Sequence, residues 1–157
     1  MLIQELKQKK EDNGEAIAKS MFIMSKLKVP VISIIIGEGS SGGALAIGVA
    51  NKVFMLENAI YSILYPEGYS SILWKDSSRC KEAAEKMKLT AEDLYNLKVI
   101  DKIIKEPKNI NDETFTELTK NIKEEIKLSI EEMSKLTEEE IYEERYLKFR
   151  NMGKLIN

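Results

Sequence analysis

The chain has 157 residues, 43% of them hydrophobic and 32% charged, with a formal net charge of −2. These values are ordinary for one globular domain, and the near-neutral charge provides no field that would recruit nucleic acid or an anionic membrane. Because the chain has no histidine, His-based general acid–base catalysis, the Ser-His-Asp triad and nearly every zinc-hydrolase arrangement are excluded.

The N-terminal segment is predicted to be helical. Apolar residues recur at helical spacing over 17–27, and Pro30 ends the pattern. Asn13-Gly14 predicts a break in this helix. The residues before it are rich in Lys, Gln and Glu, so residues 1–12 are expected to be poorly ordered.

A strand, a glycine-rich turn and a short helix follow in that order. The apolar run Val31–Ile36 predicts a buried strand over 30–36. The segment Gly37–Ala46, GEGSSGGALA, forms the turn, and a helix is predicted near 43–50. A strand that ends in glycines and then starts a helix presents bare backbone N–H groups. This geometry binds an anion or stabilises an oxyanion.

The rest of the chain is predicted to complete an α/β core and to end in long helices. Strands are predicted over Lys52–Leu56, Ile60–Tyr65 and Val99–Ile104, and helices over 66–75, 77–88, 91–97 and 112–136, with a last helix closed by Gly153. The predicted helix N-caps are Asp76 or Ser77, Thr90 and Thr137. We expect one domain over 1–157, with the core over 13–107 and C-terminal helices over 108–157.

The turn also matches a dinucleotide-binding pattern. Gly37, Gly39 and Gly42 spell G-x-G-x-x-G, and Glu57 follows twenty residues after the first glycine. Two features count against this interpretation. The predicted helix ends before Lys52 after about two turns, and the chain lacks the further βαβ units of a nucleotide-binding half.

A second match is the nucleophile elbow G-x-S-x-G, with Ser41 as the nucleophile. Without histidine the usual base is missing, although Lys52 or Lys75 could form a Ser–Lys pair. The phosphate-binding Walker pattern fails because Ala44 stands where it requires lysine.

The third interpretation needs no ionisable residue in the turn. Gly42 and Gly43 would present backbone N–H groups to an oxygen that becomes negative during reaction, and a Cβ there would hinder the approach of substrate. The alternative is a tight strand–helix turn in which the glycines only allow close packing and bind no ligand.

Several segments resemble the α subunit of bacterial acetyl-CoA carboxylase carboxyltransferase. The resemblance runs from about residue 13 to the C-terminus, and it is most specific at the glycine-rich turn. The matching segments are residues 15–18, 29–48, 65–68, 71–75, 83–85, 97–101 and 103–107. The resemblance implies a crotonase-like (ClpP/crotonase) α/β fold, a partial superhelix of ββα units with C-terminal amphipathic helices.

The resemblance also implies an activity and its partners. In that family the α subunit holds carboxybiotin, carried on the biotin carboxyl carrier protein, and the β subunit holds acetyl-CoA. Carboxyl transfer gives malonyl-CoA for fatty-acid biosynthesis. The implied catalytic residues are Gly42 and Gly43. Their N–H groups would donate hydrogen bonds to the ureido oxygen of biotin as negative charge develops on it. The implied cofactor-binding residues are Gly37, Gly39, Gly42, Gly43 and Glu67, with no metal, and a homo- or hetero-oligomer with the β subunit is expected.

The chain departs from the family pattern in ways that leave alternatives open. Ser40 and Tyr65 stand where family members usually have glycine and serine, and only about the C-terminal half of the α subunit is covered. The alternatives are a truncated, non-catalytic assembly module and a Ser–Lys peptidase of crotonase-like fold. A cytoplasmic location is expected, because the chain has one cysteine, Cys80, no signal-peptide layout and no apolar run of about 20 residues.

Overall fold

The chain folds as two successive units, each made of two strands and a helix, with longer helices before and after them. The computed structural model describes residues 2–109 and 111–154. The strands are β1 Ile32–Ile35, β2 Glu38–Ser40, β3 Lys52–Leu56, β4 Ile60–Ser62 and β5 Lys102–Ile104. The helices are α1 Leu2–Lys26, α2 Ser41–Ile47, α3 Pro66–Trp74, α4 Cys80–Met87, α5 Ala91–Asn96, α6 Asp112–Met133 and α7 Glu138–Asn151, with a 3₁₀ turn at Ser77–Arg79.

The strands form two parallel sheets. One sheet has the order β1-β3-β5, and the other pairs β2 with β4. Ile32 lies opposite Lys52 in the first sheet, and Glu38 lies opposite Ile60 in the second. The strand pair β1β2 therefore lies alongside the pair β3β4, and each pair is followed by a helix. This is the ββα winding that the family resemblance implies.

The core is centred on β3, which lies between two strands of its sheet. Its residues 53–56 are all buried, as expected for a strand covered on both faces. The other buried apolar residues of this cluster are Ala50, Ala59, Ala91, Leu94, Ile100, Ile104 and Leu118. Each fully buried large apolar side chain contributes about 1.5–3 kcal/mol. None of the helices over 2–109 and 111–154 is long and apolar enough to cross a membrane.

Arg145 joins the last helix to the end of the first. Its side chain is 1% exposed and lies against Asn51. Arg145 Nη2 donates a hydrogen bond to Asn51 Oδ1 at 2.6 Å. The guanidinium also donates to the backbone carbonyls of Met24 at 2.9 Å, Leu27 at 2.6 Å and Val29 at 2.7 Å. It thus binds carbonyls in the last turn of α1 and in the segment that follows it.

Most predicted elements are confirmed. β3 has the predicted bounds, and α3 begins at Pro66. Thr90 caps α5 by accepting from the N–H of Asp93, and Thr137 forms a capping box with α7. The order of residues 1–12 stays a prediction. Met1, Ile110 and residues 155–157, which the predicted ranges include, lie outside the described residues.

Some predictions were wrong. α1 passes through Asn13-Gly14 without a break, because the weak helix propensity of two residues does not outweigh the rest of a long helix. The strand predicted over 60–65 ends at Ser62, whose hydroxyl donates to the carbonyl of Leu64 at 2.6 Å and closes a local turn. The predicted helix 77–88 is a 3₁₀ turn capped by Asp76, followed by α4.

Candidate functional site

The glycine-rich turn changes direction sharply between β2 and α2. Ser41, the first residue of α2, has φ 77°, a backbone conformation that residues other than glycine rarely adopt. Such backbone strain is concentrated at functional sites. Ser40 occupies the N-cap without a side-chain capping bond. The first N–H groups of α2, which include those of Gly42 and Gly43, thus lack a side-chain cap.

A groove of about 410 Å³ runs along the turn. Gly37 and Gly39 line it, together with residues of β1, β2 and α2. Ser40 lines it as well, and its hydroxyl oxygen is buried without a hydrogen-bond partner in the described part of the chain. A buried hydroxyl without a partner is rare in folded proteins. The groove therefore has mostly apolar walls, and one of its lining residues carries a buried hydroxyl without a partner.

Tyr61 forms the wall behind this groove. A Cβ added at Gly48 would lie 2.3 Å from Tyr61 Oη, and one at Gly39 would lie 3.2 Å from Tyr61 Cδ2. The phenol donates to the carbonyl of Ala44 at 3.4 Å, and burial raises the pKa of Tyr61. Sequence reasoning missed this tyrosine as part of the site, because only the pairing of β2 with β4 brings it to the turn.

The structure does not bring all the predicted site glycines to one place. Gly43 lines a second groove, of about 640 Å³, between α1, α2 and β1. Gly42 lies against Ile17 of α1, whose Cγ2 would be 3.5 Å from an added Cβ. A Cβ at Gly43 would lie 3.8 Å from Ser41 Oγ. Both distances are ordinary contacts, so the packing of this chain does not itself require glycine at positions 42 and 43.

Glu67 lies apart from both grooves. It occupies the first turn of α3 directly after Pro66, and its side chain is exposed. It lines neither groove. A carboxylate in a first helical turn is stabilised by the helix dipole without any further role. Its assignment to the cofactor remains a prediction.

The structure does not support a Ser–Lys catalytic pair at Ser41. Lys52 Nζ lies 3.4 Å from Glu144 and 3.5 Å from Glu132. Burial lowers the pKa of Lys52, but these two carboxylates raise it by more, so it lies above its ordinary value. A lysine held protonated in this way is poorly suited to accept a proton. Lys75 is the C-cap of α3, and it does not line either groove.

Comparison with known proteins gives concordant matches. A family model described as acetyl co-enzyme A carboxylase carboxyltransferase-like matches residues 4–153. A Clostridium acetobutylicum protein named acetyl-coenzyme A carboxylase carboxyl transferase subunit alpha is 54% identical over 143 residues, 91% of this chain and 52% of that protein. The Streptococcus uberis subunit alpha is 56% identical over 138 residues, 88% of this chain and 52% of its own length. A Natranaerobius thermophilus protein named for subunits beta/alpha is 50% identical over 91% of this chain and 24% of its length.

Two solved structures share the fold. A Pseudomonas malonate decarboxylase hetero-tetramer in complex with coenzyme A aligns with a TM-score of 0.63 and 14% identity, over 76% of this chain and 48% of that one. Transcarboxylase 12S aligns with a TM-score of 0.57 and 18% identity, over 75% of this chain and 22% of that one. At these identities the likeness shows the fold alone, and it confirms the crotonase-like α/β architecture.

The matches cover most of this chain but only part of each relative. The chain spans about half the length of the subunit alpha relatives. The family model, in contrast, covers nearly all of this chain, with the glycine-rich turn inside the matched range. The chain therefore belongs to the acetyl-CoA carboxylase carboxyltransferase family.

Proposed function

We propose that the chain provides the biotin-side half-site of an acetyl-CoA carboxylase carboxyltransferase, as its α subunit. The reaction is transfer of the carboxyl group from carboxybiotin to acetyl-CoA, which gives malonyl-CoA for fatty-acid biosynthesis. The observation that carries this proposal is the strained turn at Ser41, which opens α2 beside a groove with an unpartnered buried hydroxyl. The β subunit would hold acetyl-CoA, and the biotin carboxyl carrier protein would deliver carboxybiotin.

The first groove has the volume of a small-molecule pocket and mostly apolar walls. Its volume of about 410 Å³ lies within the range of about 300–1,000 Å³ found for small-molecule pockets. Ile34, Ile36 and Ile47 supply apolar walls, and the buried hydroxyl of Ser40 lies among the lining residues without a partner in the described part of the chain. Gly37 leaves open space beside the groove, since nothing lies within 4 Å of a Cβ there.

Carboxybiotin, when bound, supplies the carboxyl group that is transferred. Gly42 and Gly43 do not line the first groove, so their backbone N–H groups would donate hydrogen bonds to the oxygen on which negative charge grows only where that oxygen extends past the groove to the start of α2. They lie in the first turn of α2, where the helix dipole favours negative charge. One such donor contributes about 3–4 kcal/mol to the transition state. No histidine is needed for this chemistry.

The test is malonyl-CoA-dependent carboxylation of free biotin, measured with and without a carboxyltransferase β subunit. We expect activity that depends on the β subunit. Gly43→Ala should lower kcat by about 10²-fold, because the added Cβ displaces the reacting group from the N–H groups. Gly14→Ala in α1 is the control, since nothing lies within 4 Å of a Cβ there. Glu67→Gln tests the predicted role of that carboxylate in binding the cofactor.

Two outcomes would contradict the proposal. A stable complex with the β subunit that has no activity would favour the non-catalytic assembly module. Labelling of Ser41 by a fluorophosphonate, lost in Ser41→Ala, would favour the peptidase.

A further inference from the structure

The side chain of Tyr61 lies between the first groove and a third cavity. This cavity has a volume of about 340 Å³ and is lined by residues of α2, β4, α3, α4 and α5 and of the segments that join them. Among the described residues, Tyr61 is the one that lines both this cavity and the first groove. It therefore forms the partition between the two spaces.

Helix α2 lies against both spaces, and the ring of Tyr61 meets it at their boundary. Ala44 and Gly48 of α2 line the first groove, whereas Leu45 lines the third cavity. Tyr61 Oη donates to the carbonyl of Ala44, and a Cβ added at Gly48 would meet the same oxygen at 2.3 Å. The ring therefore contacts α2 at the point where one space ends and the other begins.

Packing against two glycines holds the ring of Tyr61 in this position. Gly39 lies opposite Tyr61 in the pairing of β2 with β4, and a Cβ added there would lie 3.2 Å from Tyr61 Cδ2. Side chains at positions 39 and 48 would thus push the ring away. The hydrogen bond to the carbonyl of Ala44 is long, at 3.4 Å, compared with about 2.7–2.8 Å for a typical O–H···O bond. The shape of the site, more than that bond, therefore fixes the ring.

The two spaces that this ring separates are chemically alike. The third cavity, like the first groove, has mostly apolar walls, which include Leu45, Ile63, Met87, Leu89, Leu94 and Val99. A space that joined them would have nearly twice the volume of the first groove alone. Because an apolar ligand would gain by extending from one space into the other, the side chain between them limits the length of the ligand.

We propose that Tyr61 is a specificity-determining residue whose ring closes the first groove on the side of α3 and α4. The groove then accepts a ligand that fits its own volume of about 410 Å³ and rejects one that extends by a further ring toward the third cavity. Rejection of this kind acts by leaving no room for the extra atoms. The identity of the natural ligand as carboxybiotin rests on the proposed function, whereas the closing role of Tyr61 does not.

The experiment compares the binding of two probes, phenol and para-phenylphenol, which is phenol extended by a second ring. Calorimetric titration gives the ratio of their dissociation constants for each variant, and comparing ratios between variants removes the greater hydrophobicity of the longer probe. In Tyr61→Ala the ratio should shift about tenfold in favour of para-phenylphenol, because its second ring is buried in the joined space. Tyr61→Phe should keep the wild-type ratio. So should the control Tyr69→Ala, which removes a tyrosine that lines the third cavity but not the first groove.

Nuclear Overhauser contacts from para-phenylphenol to protein methyl groups locate the bound probe. In Tyr61→Ala, one bound molecule should contact both Ile34, which lines the first groove, and Leu94, which lines the third cavity. In the wild type and in Tyr69→Ala it should contact the methyl groups of one space only.

Two results would overturn the proposal. One is contact with both spaces in the wild type, and the other is an unchanged ratio of dissociation constants in folded Tyr61→Ala. Tyr61→Leu, which keeps an apolar side chain without the ring, gives the same readouts should Tyr61→Ala fail to fold. Neither measurement uses the β subunit or carboxyl transfer, so a failure of the proposed function would appear in the activity assay and leave these results unaffected.

Discussion

Tyr61 packs tightly against Gly48 and Gly39, and this contact fixes the position of the glycine-rich turn. A Cβ at Gly48 would lie 2.3 Å from Tyr61 Oη and 3.3 Å from the carbonyl of Ala44. Gly48→Ala should therefore lower the free energy of unfolding by about 1–3 kcal/mol, as expected for overpacking. Gly37→Ala is the matched comparison, because nothing lies within 4 Å of a Cβ there. Urea denaturation of both variants measures the difference.

The same contact allows a rescue experiment. Tyr61→Phe removes the hydroxyl that an alanine at position 48 would meet, although Tyr61 Cζ would remain 3.3 Å from the added Cβ. The double variant should therefore recover part of the lost stability. Equal destabilisation by Gly48→Ala with and without Tyr61→Phe would show that the hydroxyl is not the cause.

Local sequence was informative about the turn and uninformative about its surroundings. The glycines of 37–43 predict a strand–helix turn with bare N–H groups, because that follows from residue types in sequence. The division of Gly37 and Gly43 between two grooves depends on where α1 packs. The burial of the Ser40 hydroxyl and the position of Tyr61 likewise arise from tertiary contacts that no local pattern specifies.

At the scale of elements, Arg145 holds α7 against the end of α1. Arg145→Met should lower the free energy of unfolding by about 2–4 kcal/mol, because the carbonyls of Leu27 and Val29 lose their side-chain donor and Asn51 Oδ1 and the Met24 carbonyl each lose a hydrogen bond to a charged group. Arg150→Met, at an exposed position of the same helix, should change it by less than about 0.5 kcal/mol. Equal effects of the two substitutions in urea denaturation would show that the buried network contributes little.

The start of α7 should give the chain a defined acid dependence. Hydrogen bonds from the backbone N–H and the hydroxyl of Thr137 hold the pKa of Glu140 below its ordinary value of 4.5. A carboxyl whose pKa is lower in the folded state adds stability above the unfolded pKa and loses it as pH falls through the folded value. Glu140→Gln keeps an acceptor but does not titrate. The stability difference between wild type and Glu140→Gln should therefore be largest near neutral pH and shrink toward pH 3.

The control for this titration is Glu143→Gln, at an exposed position of the same helix. Urea denaturation at several pH values between 3 and 7 follows both variants. A difference between wild type and Glu140→Gln that stays constant with pH would refute the assignment to Glu140.

Helices and strands were predictable from sequence where the pattern that defines them lies within a few neighbouring residues. β3 is a continuous apolar run, and the caps at Thr90 and Thr137 are defined by residues three positions apart. β2 was missed because Glu38–Ser40 has low strand propensity, and only its pairing with β4 makes it a strand. The extra length predicted for β4 fails because Ser62 starts a turn.

At the scale of the whole molecule, low net charge combines with exposed apolar surface. The formal net charge is −2 at pH 7, and the isoelectric point is near 5.5. Ile36 and Ile47, beside the outer edge of β1, are both more than two-thirds exposed. Charge repulsion is weakest near the isoelectric point, so these surfaces should then associate most readily.

We therefore expect the isolated chain to self-associate most strongly near pH 5.5 and least at pH 8, as measured by static light scattering at fixed concentration. Ile36→Lys/Ile47→Lys and Ile72→Lys/Leu73→Lys add the same charge, so comparing them at one pH separates the effect of position from that of charge. Ile36→Lys/Ile47→Lys should associate less than the α3 variant, because it places two charges on exposed apolar surface next to the outer edge of β1. Equal scattering by the two variants would mean that net charge alone governs association, and that the surface next to the outer edge of β1 is not the adhesive one.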